Sequence, residues 1–546
     1  MHRTRRGYLT AGFLIWLALG SQPSEAQFTA NFQTNIVDGV GSGGSNYIVG
    51  SNTFADVLLI RNHGSVNDNS GYVGYEVGSS NNTVVITGSG SVWQNGFFFT
   101  DHLYIGYSGA GNSVIISNHG SLYVPSISSV VGVNASSSNN SVLVTGSGSV
   151  WTNGSGNLTI GGRGDGNSLV ISNGGAVIGS SGSYCTIGQS SSWNRVSITG
   201  TGSTWQTSYT LYVGGPGNNS LTVVNGGTLY AEFCMVGYGF LSGGGSNNTG
   251  LVTGRGSVWS NGFLNIGWNG GGNSLVVSNG GLAVSSSLNT GLGAGDGNQI
   301  VVTGTGSVLK VNGPMVVGNN GAFSDLGISD GAQVIDRGAT IGSASTSSSN
   351  RVVVLTGGSW YSDTLQVGGL GSSNSVLVSG GTVSASNLIV GTASPTCDNV
   401  VELDTGSVFA TNATHDAVLE VRDGSLILNG GTLQADTLVM MNPCAQFVHT
   451  GGTLIVGKVI LDPNTFRIVS VARQSNDLLI TWMMGPGASN TLQAAAVDGN
   501  GGYNSNGFID IFVVTNNTAI GTVTNYLDIG AATNWPAHYY RARLAP

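Results

Sequence analysis

Charge is scarce in this sequence. Asp, Glu, Lys and Arg together make up 8% of the 546 residues, where ordinary globular domains carry about 25%. With only 16 Lys and Arg, no basic run exists that could neutralise a row of phosphates, which argues against a nucleic-acid partner. Runs rich in Ala, Glu and Lys are missing, so amphipathic helices are not expected. There are four cysteines, and no C-x-x-C pair or His/Cys cluster has the spacing of a zinc site. Beyond residue 26 no apolar stretch reaches the length of a membrane-spanning helix, so no integral membrane segment is expected in the mature chain.

The start of the chain reads as a secretory signal. Arg3, Arg5 and Arg6 make a basic lead, Gly7 to Gly20 is apolar, and Ser24-Glu25-Ala26 supplies small residues at a cleavage site. Residues 1–26 are therefore expected to be a signal peptide removed between Ala26 and Gln27. The expected location is extracellular or the cell surface, with the periplasm as the other compartment on that route.

Glycine is abundant, at 91 residues, and it recurs in register. T-G-x-G-S-x-W runs from Thr87 to Trp93, Thr145 to Trp151, Thr199 to Trp205 and Thr253 to Trp259. Thr303 to Leu309 carries Leu in place of Trp, and Thr356 to Trp360 is a shortened copy. A second motif, N-S-[VL]-x-[IV]-S-N-x-G, lies between them at Asn112 to Gly120, Asn167 to Gly175 and Asn273 to Gly281, with a variant at Asn219 to Gly227. An apolar-x-[IV]-G element follows in most units, as at Leu103 to Gly106 and Leu211 to Gly214.

Aligned on the glycine before the large apolar position, the two motifs give one column. It holds Trp93, Tyr123, Trp151, Ile178, Trp205, Tyr230, Trp259, Val284, Leu309, Val334 and Trp360, continued by Phe409. A unit this short, built of brief strands such as Val84-Val85-Ile86, buries its apolar face only against its neighbours. The expected fold is all-β: a right-handed parallel β-helix over 27–464, about 15 coils of 24–30 residues, forming a rod roughly 70 Å long. A left-handed solenoid or a propeller is the rival. The column is expected to be an internal ladder, with a sugar-stacking stripe as the alternative should its rings point outward.

These repeats resemble the autotransporter- and PEP-CTERM-associated repeat family of bacterial secreted proteins. The resemblance rests on V-x-x-T-G-x-G-S-x-W, L-x-I-G and N-S-L-x-I-S-N-G-G, as in Val142 to Gly175, and covers about Asp56 to Gly391. It implies an extracellular bacterial β-helix with an adhesin-like role and no catalytic residues to transfer. The end of the sequence shows neither a barrel of 8–12 strands closing on an aromatic nor a Pro-Glu-Pro sorting tail.

From about residue 465 the period is lost. Phe466 to Val471, Leu478 to Trp482, Leu492 to Val497, Ile509 to Val514, Tyr526 to Ile529 and Tyr539 to Leu544 read as strands of a small β-sandwich over 465–546. Trp482 and the Tyr539 to Leu544 strand resemble a fibronectin type III or immunoglobulin-like module. Capping the last coil is its expected role, with attachment as the alternative.

Few residues invite chemistry. Cys185 and Cys234 hold the same place in coils separated by the Leu211 coil, too far apart for a disulfide, so buried free thiols are expected. The densest ionisable stretch is Asp398, Glu402, Asp404, His415, Asp416, Glu420, Arg422 and Asp423. A sugar-binding or catalytic cluster there competes with a solvated face of paired charges, and the latter is expected. Other acidic residues fall at non-equivalent coil positions. Gly161 to Gly166 has the look of a calcium-binding nonapeptide, but the pattern is not iterated; Gly293 to Asn298 shares only Gly-Asp-Gly-Asn. No catalytic, cofactor-binding or metal-ligating residue is assigned. The function expected is a secreted structural or adhesin-like repeat protein touching extracellular glycans or surface proteins. A polysaccharide lyase or glycosidase, or a carbohydrate-binding spacer, is the alternative.

Overall fold

The structure is a computed structural model. It describes residues 27–544 apart from 40–41, 97–100, 181, 240–243, 294, 393–397, 443, 462–467, 485–488, 497–506, 516–521 and 534–537. The proposed signal peptide lies outside the described residues. Among the described residues, thirty-nine strands, from Thr34–Asp38 to Thr453–Leu461, join into one system of parallel ladders. The chain is a parallel β-solenoid, and no helix occurs among the described residues.

Each typical coil contributes three short strands. The first row contains Thr83–Thr87, Ser113–Ser117 and Ser141–Thr145, stacked in register. The second contains Val92–Asn95, Ser121–Val124 and Val150–Asn153. The third contains His102–Ile105, Ser128–Val131 and Leu158–Ile160. Alternation sends every second side chain inward. Val114 with Ile116, Val142 with Val144, and Leu103 with Ile105 are fully or almost fully buried in a single core running along the axis.

The aligned column needs a correction. Trp93, Trp151, Trp205, Trp259 and Trp360 are buried in that core, but the residues stacked on them are not the ones the glycine alignment chose. Trp151 pairs with Leu122 and Val177, Trp205 with Leu229, and Trp259 with Ala283. Tyr123, Ile178, Tyr230 and Val284 sit one residue farther on and face outward, Tyr230 with 47% of its surface exposed. Phe409 likewise points away from the core beside the buried Val408. The T-G-x-G-S corner is one residue longer than the S-N-x-G corner, so Gly120 aligns with Ser91 rather than Gly90. A shift of one residue moves a strand side chain to the opposite face.

A second ladder explains the motif N-S-[VL]. Asn82, Asn112, Asn140, Asn167, Asn194, Asn219, Asn248, Asn273 and Asn298 stack at the corner between the third and first rows, each fully buried. The Asn112 amide N–H donates to Asn140 Oδ1 at 2.8 Å, and Asn112 Nδ2 donates to the same oxygen at 3.0 Å. The pattern repeats from Asn140 to Asn167 at 2.9 and 3.0 Å. Buried corner N–H groups, which a sheet ladder cannot reach, are satisfied by the next coil. This requirement accounts for L-x-I-G as well. Gly106 has φ +73°, and a Cβ there would collide with the Asn140 carboxamide. Ser324 interrupts the ladder, which resumes at Asn350, Asn374 and Asn399.

Cys185 pairs with Leu211 and Leu211 with Cys234. Both thiols are free and buried, as expected from the intervening coil. Cys444 is disulfide-bonded, and Cys397 lies outside the described residues.

The last strands leave the solenoid. Ile468–Gln474, Asp477–Met484 and Thr522–Asp528 form one antiparallel sheet; Ile509–Thr515, Ser489–Ala496 and His538–Leu544 form another. They share a small core of Ile480, Trp482, Met484 and Leu492, with Phe512 and Tyr526 packed against it. Met483, on the opposite face of its strand from Trp482, is buried in the solenoid core together with partly buried Val469 and Val523. One sheet of this small sandwich therefore covers the open end of the solenoid.

Candidate functional site

The Asp398 to Asp423 stretch does not form one cluster. Glu402 lies on the first strand row, between Leu377 and Ile427, whereas Glu420 lies on the third, between Ile389 and Val439. Glu402 and Asp404 share a face and both accept from Asn429 Nδ2, at 2.9 and 3.0 Å. Arg422 pairs with Glu420 at 2.8 Å. Asp398 accepts from Ser373 Oγ at 2.7 Å. Asp416 accepts from Thr414 and Asn412, which hold its carboxyl below the usual range. His415 Nδ1 stands 3.4 Å from Asp436. Asp423 is buried beneath Gly391, where the next ladder asparagine would fall.

The glycine-aspartate turns have a simpler use. Asp165 accepts the Ser192 N–H at 2.8 Å and Asp296 accepts the Ala322 N–H at 2.8 Å. Each carboxylate accepts a backbone N–H from the turn of the following coil and so ties adjacent coils together.

Two acidic sites escaped the sequence reading, which placed such residues at non-equivalent positions. Asp68 and Asp336 hold the same inward position, each one coil before a tryptophan. Trp93 Nε1 donates to Asp68 Oδ2 at 2.9 Å, and Trp360 Nε1 donates to Asp336 Oδ2 at 2.6 Å. Burial pushes the Asp68 carboxyl up to about 7 and the Asp336 carboxyl up to about 6. Asp101 and Asp363, each two residues before the leucine of the third row, raise the two groups further. Val66-Asn67-Asp68 and Val334-Ile335-Asp336, each placed a coil ahead of a tryptophan, were the available signal. Asp336 and Asp363 line a cavity of about 210 Å³ with Tyr361, Ser362 and Thr411.

The third strand row carries the other distinctive surface. Its outward positions run Tyr72, Tyr104, Val130, Thr159, Thr186 and Tyr212 in successive coils. The positions just after the L-x-I-G glycine run Tyr75, Tyr107, Val133, Gly162, Gln189, Gly215, Tyr238 and Trp268. Both rows are aromatic, then non-aromatic, then aromatic again. Tyr75 and Tyr107 stack at 5.2 Å with 10° between ring planes, and Tyr104 lies 5.3 Å from Tyr107. At the other end Tyr212 and Tyr238 are 4.4 Å apart, and Tyr184 stacks on Tyr212 at 5.9 Å. Between the clusters is a cavity of about 450 Å³ lined by Tyr104, Val130, Asn134, Arg163, Gln189 and Ser190.

No protein-family model matches the chain, and no curated protein matches it in sequence. Among solved structures it is similar to a TibA fragment, residues 55–350, whose hyper-glycosylation is catalysed by TibC. The identity is 12% and the TM-score 0.21, over 78% of this chain and 96% of that one. No helix of the described residues is long and apolar enough to cross a membrane.

Proposed function

We propose that this chain is an exported, surface-exposed rod with a structural, adhesin-like role, and that its outer faces touch extracellular glycans or surface proteins. The observation that carries the reading is the unbroken stack of coils, sealed at its C-terminal end by the sandwich sheet that buries Met483. Parallel pairing of this kind gives stiffness and a long contact surface. The acidic groups of the 398–423 stretch are spent on neighbours rather than aimed together at a pocket. The repeat motifs support the same reading through their resemblance to secreted bacterial repeats. Incubating the purified chain from Gln27 with insoluble and soluble polysaccharides tests it. Cosedimentation without release of oligosaccharides is expected; turnover would overthrow the reading.

One observation favours a second reading, an enzyme acting on polysaccharide. Asp336, with its carboxyl pushed up to about 6, and Asp363 line the same cavity, and a raised carboxyl beside another is the arrangement an acid–base pair uses. Any turnover found should then vanish in Asp336→Asn and in Asp363→Asn.

A further inference from the structure

We propose that the trough between the two tyrosine clusters is a binding site for an uncharged polysaccharide segment lying along the solenoid axis. The proposal rests on the reading of the outer face as a contact surface and gives that face a location and a ligand class.

The shape comes from strand register. Tyr104 and Tyr212 are separated by Val130, Thr159 and Thr186 in consecutive coils, so the rings stand four strand spacings, about 19 Å, apart. Thr159 and Thr186 are each only 6% exposed, so neither projects between the rings. The parallel row drops from Tyr107 to Val133 and then to Gly162, whose missing side chain deepens the trough. The opening is long enough for several sugar rings laid end to end.

The chemistry of the walls selects the ligand. Tyr104 offers a ring face held in place by Tyr72, Tyr107 and His102, with His102 stacked on it at 5.0 Å. Its phenol is pushed up to about 12 by burial and by its tyrosine neighbours, so the platform stays neutral. Sugar rings present C–H faces that stack on aromatic rings and hydroxyl edges that need donors and acceptors. Asn134, Gln189 and Ser190 supply both along one rim. Arg163 adds donors and makes no ion pair among the described residues. A polyanion is disfavoured, because Arg163 is the one cation lining the cavity and shares its coil with exposed Asp165, on a chain of net charge -9.

Calorimetric titration of the chain from Gln27 with cellohexaose, chitohexaose and mannohexaose tests the assignment, with an oligogalacturonate as the acidic comparison. At least one neutral hexasaccharide is expected to bind. Tyr104→Ala and Arg163→Ala should each weaken it about tenfold or more, while Tyr230→Ala, on the second strand row, should leave it unchanged. Arg163 is exposed and outside the core, so that variant keeps the test clear of misfolding. Binding that survives both trough variants overturns the site. Tighter binding of the oligogalacturonate overturns the ligand class. Failure of every hexasaccharide, while the chain still sediments with insoluble polysaccharide, overturns the trough and leaves the contact reading standing; failure of both overturns the two together.

Discussion

The indole of Trp360 donates to the Asp336 carboxylate one coil below it, and Trp93 makes the same bond to Asp68 ten coils earlier. Three other core tryptophans lack this partner. Trp151, Trp205 and Trp259 face Val124, Gly179 and Ala231 at the corresponding position, and their Nε1 atoms have no acceptor. One repeat position is thus filled in two ways, polar and paired or apolar and unpaired.

The pairing makes a comparison of two substitutions informative. Trp151→Phe removes an indole N–H that bonds to nothing, so its cost is packing alone. Trp360→Phe also strips a donor from buried Asp336, and an unsatisfied buried acceptor costs about 1–3 kcal/mol. The melting temperature of Trp360→Phe should therefore fall further than that of Trp151→Phe. Equal losses would show that the Asp336 bond contributes little.

Asp68 should also tie stability to pH. Its carboxyl is held at about 7 against an ordinary 3.8, burial being the main cause. A group raised in this way favours the folded state fully below about pH 4 and loses that contribution as pH rises to about 7. Each unit corresponds to roughly 1.4 kcal/mol. Asp68→Asn keeps an acceptor for Trp93 and removes the titration. Melting curves between pH 4 and pH 8 should show wild-type stability falling relative to the variant. Parallel pH profiles would count against the raised carboxyl.

The asparagine ladder carries its own natural gap. Ser324 occupies the ladder position between Asn298 and Asn350, and its hydroxyl has no partner. Elsewhere each Oδ1 accepts from the N–H of the coil before, as Asn140 does for Asn112 at 2.8 Å. Ser324→Asn supplies that acceptor to Asn298 and should raise stability by roughly 1 kcal/mol. Asn167→Ala, in the middle of the ladder, should lower it by about 1–3 kcal/mol by stranding the buried Asn140 N–H. Thermal melts of the two variants should move in opposite directions; a stable Asn167→Ala would mean the ladder is dispensable.

Much of the fold could be read from the sequence, because spacing alone fixes a repeat. The T-G-x-G-S-x-W and N-S-[VL] motifs give coil length, alternation and parallel stacking, and the loss of period marks the terminal strands. Register at the corners was harder. Glycine looked like a fixed landmark, but a corner with two glycines, Gly88 and Gly90, spans one residue more than the corner built on Asn118 and His119. Aligning the glycines therefore swapped inside for outside at Tyr123, Ile178 and Tyr230. The candidate sites suffered for a related reason. Asp68 meets Trp93 across 25 residues, and Tyr104 comes into line with Thr159 and Tyr212 only after several coils are stacked. Conversely, Glu402 and Glu420 fall in one acidic stretch of the sequence but lie on different strand rows.

The two free cysteines give a test of how tightly the core is closed. Cys185 and Cys234 are buried with Leu211 between them. Desolvation pushes the Cys185 thiol up to about 11 and raises that of Cys234 as well. Thiolate is the reactive form, so exclusion of water and suppressed ionisation act in the same direction. Under native conditions at pH 8, an aromatic disulfide reagent should titrate neither thiol over hours. In denaturant it should titrate both at once, while Cys444, already in a disulfide, stays silent until reduced. Rapid native labelling of Cys185 or Cys234 would mean that the coils around Leu211 open far more readily than a sealed parallel stack allows.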